Sequence, residues 1–307
     1  MKKKVLLAVV GPTAIGKTAL GIQLAKYFDT EILSADSRQF FKEMEIGTAV
    51  PSQEELAQVP HHFIQHKSIF DPYSVGDFEK EAIDFLNELF QQKDTVIMVG
   101  GSGLYVDAVV NGLDEFPEVD PSIRAELNQE LDKNGLSSLQ EELKLKDPSY
   151  YKIVDLENPH RLIRALEVCR ASGKPYSSFL NQPRPKRPFK TLYIGLEAPR
   201  EVIYERINQR VDLMMEKGLL DEAQQLYPNQ KLNALQTVGY KELFEYLDGH
   251  CTLESAVSEI KKNTRRFAKR QLTWLRKNND ILWVPYDGKP EKVLQMIKDR
   301  LKTNLYA

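Results

Sequence analysis

The sequence predicts an α/β fold, a parallel β-sheet covered by helices, with an all-helical domain inserted into it. Three observations lead there. Short apolar, β-branched runs alternate with segments of helical period towards both ends of the chain, the middle carries helical period only, and a glycine-rich turn joins the first run to the first helix.

Residues 5–10 form a continuous apolar run, the pattern of a strand covered on both faces. Helical spacing follows at once in Leu20, Leu24, Tyr27 and Phe28, and a second strand is expected at 31–35. A helix over about 77–91 presents Phe78, Ile83, Phe85, Leu86, Leu89 and Phe90, and the apolar run 95–99 stops at Gly100-Gly101. Between about 115 and 188 the strands cease. Asp120-Pro121 supplies a cap and a first-turn proline for a helix that ends at Asn134-Gly135. Ser138 with Glu141 has the spacing of a capping box that opens a second helix. Asn158-Pro159 starts a third, with Leu162, Ala165, Leu166 and Cys169 on one face and Gly173 as its stop. The proline-punctuated linker 183–188 then leads to a returning strand at 191–196 and a helix over about 200–217. The expected division is a core of residues 1–114 and 190–307, ending in basic helices, around an inserted helical domain at 115–189.

A chain of 307 residues exceeds the usual size of one hydrophobic core, and 42% apolar residues suffice to fill two. The net charge of -2 argues against nucleic-acid binding by bulk charge, so any basic surface has to be local. Cys169 and Cys251 stand far apart without ligand spacing, which excludes a disulfide framework or zinc knuckle and fits a reducing cytoplasm. The apolar run behind Lys2-Lys3-Lys4 is too short for a signal peptide. No stretch approaches the roughly 20 apolar residues of a spanning helix, so a soluble protein is expected.

Gly11-Pro12-Thr13-Ala14-Ile15-Gly16-Lys17-Thr18 matches the phosphate-loop pattern GxxxxGK[ST] between an expected strand and an expected helix. Glycines at these places let backbone N–H groups turn around an anion. The helix N-terminus adds partial positive charge, Lys17 adds a full one, and the Thr18 hydroxyl is placed to reach Mg²⁺. The strands 95–99 and 191–196 end without the metal-holding aspartate of phosphate-loop hydrolases, leaving Asp36, at the end of the second strand, as the one clear candidate. Ligands in open parallel sheets sit beyond the carboxyl ends of the strands, so Asp36 and Gly100-Gly101-Ser102-Gly103 should face the phosphate loop. Asp36 there serves as a Mg²⁺ ligand or as a base, and spacing does not separate the two.

Seven blocks stand in register along the chain. They are the phosphate loop, Asp36-Ser37-Arg38-Gln39, Gly47-Thr48-Ala49, Pro60-His61-His62-Phe63, Gly100-Gly101-Ser102-Gly103-Leu104-Tyr105, Arg161 with Arg164-Ala165-Leu166-Glu167-Val168, and Thr264-Arg265-Arg266-Phe267-Ala268-Lys269-Arg270-Gln271. Together they resemble the bacterial tRNA dimethylallyltransferase family from Val5 to about Trp283. Departures from the family pattern are Ile15, Val50 and Ser102, of which Val50 removes a basic contact. The resemblance implies a P-loop NTPase-like core and an insert that grips the anticodon stem-loop. It also implies transfer of a dimethylallyl group from its diphosphate to N6 of the adenosine just 3′ of the anticodon, with Mg²⁺ as cofactor. No membrane takes part, and a monomer is expected.

The exocyclic N6 of adenine is a weak nucleophile, so the transfer calls for a base and a stabilised leaving group. Asp36 is assigned as the base. Lys17, Thr13, Thr18 and Arg210 are assigned to the departing diphosphate, though Glu205, Arg206 and Asp212 lie near enough for Arg210 to belong to a plain surface salt-bridge cluster instead. Ser37, Arg38, Gln39 and Ser102 suit the edges of a flipped-out base, with turn capping an equal alternative for Ser37. Between Lys261 and Lys277 stand eight Lys or Arg and no acid. On a helix, Lys261, Lys262, Arg265, Arg266, Lys269 and Arg270 share one half-circle, and Val257, Ile260, Phe267, Gln271, Trp274 and Leu275 the other, which reads as one face for RNA and one for packing. Arg161 and Arg164, the linker's Arg184, Lys186 and Arg187, and by resemblance His160 form a second basic region. Arg124 joins it unless it pairs with Glu126 or Asp120. His61, His62 and His66 lack a fourth ligand and read as a structural or substrate-lining loop. The rivals are an adenylate isopentenyltransferase, which would need neither insert nor basic helix, a small-molecule kinase, and an RNA-binding NTPase switch.

Overall fold

The computed structural model describes residues 3–183 and 186–306. Among them, six strands form one sheet: β1 (Val5–Val10), β2 (Ile32–Ser34), β3 (His61–His62), β4 (Thr95–Val99), β5 (Lys190–Glu197) and β6 (Leu282–Pro285). Their order is β3-β2-β4-β1-β5-β6 with every neighbouring pair parallel. The helices are α1 (Lys17–Phe28), α2 (Gln53–Leu56), α3 (Val75–Gln92), α4 (Gly103–Asn111), α5 (Pro121–Asn134), α6 (Leu136–Lys146), α7 (Pro148–Tyr151), α8 (Pro159–Ser172), α9 (Arg200–Glu216), α10 (Leu219–Leu226), α11 (Tyr240–Leu247), α12 (Leu253–Leu275) and α13 (Pro290–Tyr306). None is long and apolar enough to cross a membrane.

The central strand shows why its sequence is apolar throughout. Val5, Leu7 and Val9 enter one cluster with Leu20 and Leu24 of α1, Ile203 and Ile207 of α9, and Val293 and Ile297 of α13. Leu6, Ala8 and Val10 enter the other, against Phe78 and Leu86 of α3 and Val106 and Val109 of α4. A side chain every second residue on each face leaves no polar position in such a strand. A third cluster gathers α10, α11 and the first half of α12 around the fully buried Tyr240, with Leu219, Leu243 and Ile260.

The chain divides into two compact units, Met1–Asn111 with Arg187–Ala307, and Gly112–Lys186. The second is all-helical and packs α5, α6 and α8 around Leu127, Leu139, Leu143, Leu162 and Leu166. Asp120 caps α5 by accepting from the Ser122 N–H, and Asn158 caps α8 by accepting from the Arg161 N–H. The Ser138 capping box does not form. Gly135, at φ 75°, both ends α5 and opens α6, so Ser138 falls inside the first turn and its hydroxyl donates to the Gly135 carbonyl.

Candidate active site

The phosphate loop leaves β1 and enters α1. Gly16 caps the helix at φ 108°, a left-handed conformation that disfavours a side chain. Ala14 also has positive φ, 65°, and Arg206 of α9 donates from Nε to its carbonyl at 2.8 Å. That bond offsets the strain and fixes the loop from one side. From within the loop, Lys17 Nζ donates to the Pro12 carbonyl at 2.9 Å. Burial pushes the Lys17 pKa down to about 8, while the charge of Asp36 opposes the fall and that of Arg210 adds to it. Burial also lowers the pKa of Arg210, with Arg206 adding and Asp36 opposing. Asp36 is thus close enough to act on both cations, and their loss of water is a cost that an incoming anion would relieve.

The cavity is about 770 Å³, and Thr13, Ala14, Ile15, Gly16, Lys17 and Thr18 line one side of it. Asp36, Arg38 and Gln39 line another, with Gly47-Thr48-Ala49 beside them and Arg206 and Arg210 beyond. Gly11, at φ 151°, and Pro12 shape the loop behind this lining. The segment after β2 is tightly tied. The Arg38 N–H donates to Asp36 Oδ1 at 3.3 Å, and the Arg38 guanidinium lies 4.3 Å from the Phe267 ring centroid on α12. Burial lowers the Arg38 pKa, and Asp36 is the largest opposing influence. The Ser37 N–H donates to Ser102 Oγ at 3.2 Å and the two hydroxyls meet at 3.1 Å, which joins the loop after β2 to the loop after β4. Gln39 Nε2 donates to the Ala49 carbonyl at 2.8 Å, so this amide holds the neighbouring loop.

Two residues outside the cavity lining hold segments that shape it. Glu222 of α10 accepts from the backbone N–H groups of Glu45, Ile46 and Gly47 at 3.0, 2.7 and 2.9 Å and from the Tyr240 hydroxyl at 2.6 Å. Gln271 of α12 accepts from the Thr13 N–H at 2.9 Å and donates to the Gly101 carbonyl at 2.8 Å. A Cβ on Gly101 would stand 2.4 Å from Gln271 Nε2, and one on Gly103 2.6 Å from the Trp274 ring, so these glycines let α12 approach the loop.

On α12, Lys261 pairs with Asp212 and Lys262 with Glu259. The absence of acids between 261 and 277 therefore overstated the free charge, because α9 and the preceding turn of α12 supply partners. Arg265 donates to Asn208 and Arg266 to Asn263, both neutral, and Lys269 and Arg270 are exposed. Among the described residues these four make no salt bridge to a carboxylate. In the helical unit, Arg124 pairs with Glu167, and with neither Glu126 nor Asp120. Glu167 is 2% exposed and also takes Arg164, whose guanidinium lies 4.9 Å from the Phe116 ring. His160 is exposed beside Arg161 in the first turn of α8. Arg187 is held by Glu79 and the Ala108 carbonyl, and Arg184 lies outside the described residues. His62 pairs with Glu31 and packs on Phe85, and His61 bonds the Val59 carbonyl.

The family model for IPP transferase matches residues 39–278. The chain belongs to the IPP transferase family. The tRNA dimethylallyltransferase of Christiangramia forsetii is 60% identical over 97% of this chain and 99% of its own. The full-length tRNA isopentenylpyrophosphate transferase of Bacillus halodurans, a crystal structure, is 38% identical with a TM-score of 0.73 and 98% of both chains covered. A eukaryotic dimethylallyltransferase acting on tRNA superposes with a TM-score of 0.83 at 25% identity, over 98% of this chain and 80% of the other. The matched span of the family model begins after the phosphate loop and Asp36, so the geometry of those residues stands beside the family match as a separate observation.

The sequence alone does not show Arg206 in the cavity lining, nor Glu222 with Tyr240 as supports of the segment at Gly47, and there Gln271 reads as packing. Gln271 carried a signal, since it is a polar residue on the apolar side of an amphipathic helix.

Proposed function

We propose that this chain transfers the dimethylallyl group of dimethylallyl diphosphate to N6 of the adenosine 3′ of the anticodon (A37) in tRNA and releases diphosphate. The carrying observation is one cavity whose lining brings the phosphate loop and the part-buried cations Lys17 and Arg210 together with the Asp36 carboxylate. The N6 lone pair forms a bond to the allylic carbon as that carbon's bond to the bridging oxygen breaks. The electron pair leaves with the diphosphate, and the N6 proton passes to the Asp36 carboxylate. Lys17, Arg210, Thr13 and the N–H groups of the loop stabilise the charge that builds on the leaving group. Ser37, Arg38, Gln39 and Ser102 border the place of the flipped base. For Arg38, 4.3 Å from Phe267, the role is to close that pocket.

A Mg²⁺ ion fits the residues present. The Thr18 hydroxyl and the Asp36 carboxylate line the same cavity, and this ion is commonly held by one or two protein oxygens together with substrate phosphates. Thr18 would hold it, with Asp36 facing it, and the ion would supply neutralising charge to the diphosphate. The RNA is held by Arg265, Arg266, Lys269 and Arg270, and by Arg124, His160, Arg161 and Arg164 of the helical unit. The protein acts as a monomer in the cytoplasm.

The test is transfer of radiolabelled dimethylallyl from its diphosphate, with Mg²⁺, into unmodified tRNA and in parallel into AMP. Label in tRNA alone supports the reading. Label in AMP alone would replace it with the free-nucleotide transferase, and label in neither would refute both.

A further inference from the structure

We propose that Gln271 is a positioning residue for the transfer, holding Thr13 of the phosphate loop against the loop that follows β4. Its side chain is 7% exposed, and both of its polar atoms are engaged: Oε1 takes the Thr13 N–H at 2.9 Å and Nε2 gives to the Gly101 carbonyl at 2.8 Å. The amide orientation is fixed by chemistry, since reversing it would set two donors against each other and two acceptors against each other. A site that must accept on one side and donate on the other, at this reach, selects glutamine. Glutamate lacks the donor, asparagine stops one methylene short, and an apolar residue leaves a backbone N–H and a backbone carbonyl without their partner.

The consequence falls on Thr13. Its N–H is engaged by Gln271, while Thr13 itself lines the cavity. The same helix brings Phe267 to Arg38 and Trp274 to Gly103, so α12 meets all three loops that border the base and the diphosphate. Gln271 does not line the cavity and acts through Thr13, which does. The inference rests on the transfer reading above.

The test is a double-mutant cycle on the full chain, with Gln271→Met, Thr13→Ala and the pair. Methionine keeps the length and approximate volume of glutamine without its hydrogen bonds. Gln271→Met should lower kcat about 10- to 100-fold, the scale of a small misplacement of a reacting group, with KM for tRNA unchanged within about twofold. The double variant should be no slower than Thr13→Ala alone, within about twofold. Wild-type kcat in Gln271→Met, or penalties that multiply in the double variant, would overturn the assignment. A parallel rise in KM for tRNA would also overturn it, because a role in general stability predicts that and a role through Thr13 does not. If Gln271→Met does not fold, Gln271→Asn takes its place with the same expectations. Wild-type protein that labels no tRNA refutes the transfer reading before any variant is made, so the two failures are distinct.

Discussion

Replacing Lys17 by methionine should inactivate the protein and stabilise it. The part-buried ammonium has its pKa pushed from an ordinary 10.5 down to about 8, chiefly by loss of water. At 1.36 kcal/mol for each decade of proton affinity, that fall corresponds to about 3 kcal/mol held against the folded state while the group is charged in both states. The sign follows from the order of the two values. Below about pH 8 the folded and the unfolded chain both carry the proton and the whole cost is present. Between about 8 and 10.5 the folded chain has released the proton and the unfolded chain still binds it, so stability rises with pH. Methionine removes the charge and also the bond to the Pro12 carbonyl, which returns about 1 kcal/mol of the gain. The net gain at pH 7 is about 2 kcal/mol, or about 4–8 °C in Tm at 2–4 °C per kcal/mol. The assay is thermal unfolding of Lys17→Met and wild type at pH 7 and pH 9.5, without diphosphate or Mg²⁺. The gain should nearly vanish at the higher pH. A variant that melts at or below wild type at pH 7, or a gain that persists unchanged at pH 9.5, would show that Lys17 is not held charged against its surroundings.

Asp36→Asn should lower kcat about 100-fold or more with tRNA affinity unchanged within a few fold, as read from single-turnover transfer and filter binding; an equal loss of binding would make Asp36 a structural contact. Neutralising Arg265, Arg266, Lys269 or Arg270 singly should weaken tRNA binding and reduce the slope of log affinity against log salt by about 0.7–0.9 per residue, with diphosphate affinity unchanged. Glu222→Gln presents an amide to donors that a carboxylate now accepts, and should cost about 2–3 kcal/mol by urea unfolding. Because Gly47-Thr48-Ala49 line the cavity, transfer should slow as well; stability near wild type would mean the three N–H groups need no carboxylate.

What could be read from the chain was local. The phosphate loop announces itself because glycine spacing, lysine and threonine lie within eight residues between an apolar run and a helical pattern. The strand at 95–99 and the caps at Asp120 and Asn158 were legible for the same reason. The strand His61–His62 was not, because two residues carry no period, and neither was the cluster around Tyr240, whose members lie between Met44 and Ile260. The contacts that hold the phosphate loop are longer still: 258 positions separate Gln271 from Thr13, and 192 separate Arg206 from Ala14. Spacing rules assign such residues by their nearest neighbours. By such rules Arg206 is only one of the charges beside Arg210, and the half-circle of cations on α12 takes no account of Asp212 on another helix.

The order of strands also sets a timetable for synthesis. β1 at the centre of the sheet is bordered by β4 on one side and β5 on the other, and 90 residues, 100–189, lie between those two neighbours in the chain. At about 5–20 residues per second, one edge of β1 waits roughly 5–18 s after β4 has left the ribosome before its partner arrives. That edge presents unpaired backbone groups beside a run of six buried apolar residues, the combination from which aggregation starts. During the wait the helical unit, with an apolar cluster of its own, emerges in full. Nascent chains halted between Val99 and Lys190 are thus the species that chaperones should engage, and chains halted beyond Glu197 should be released from them.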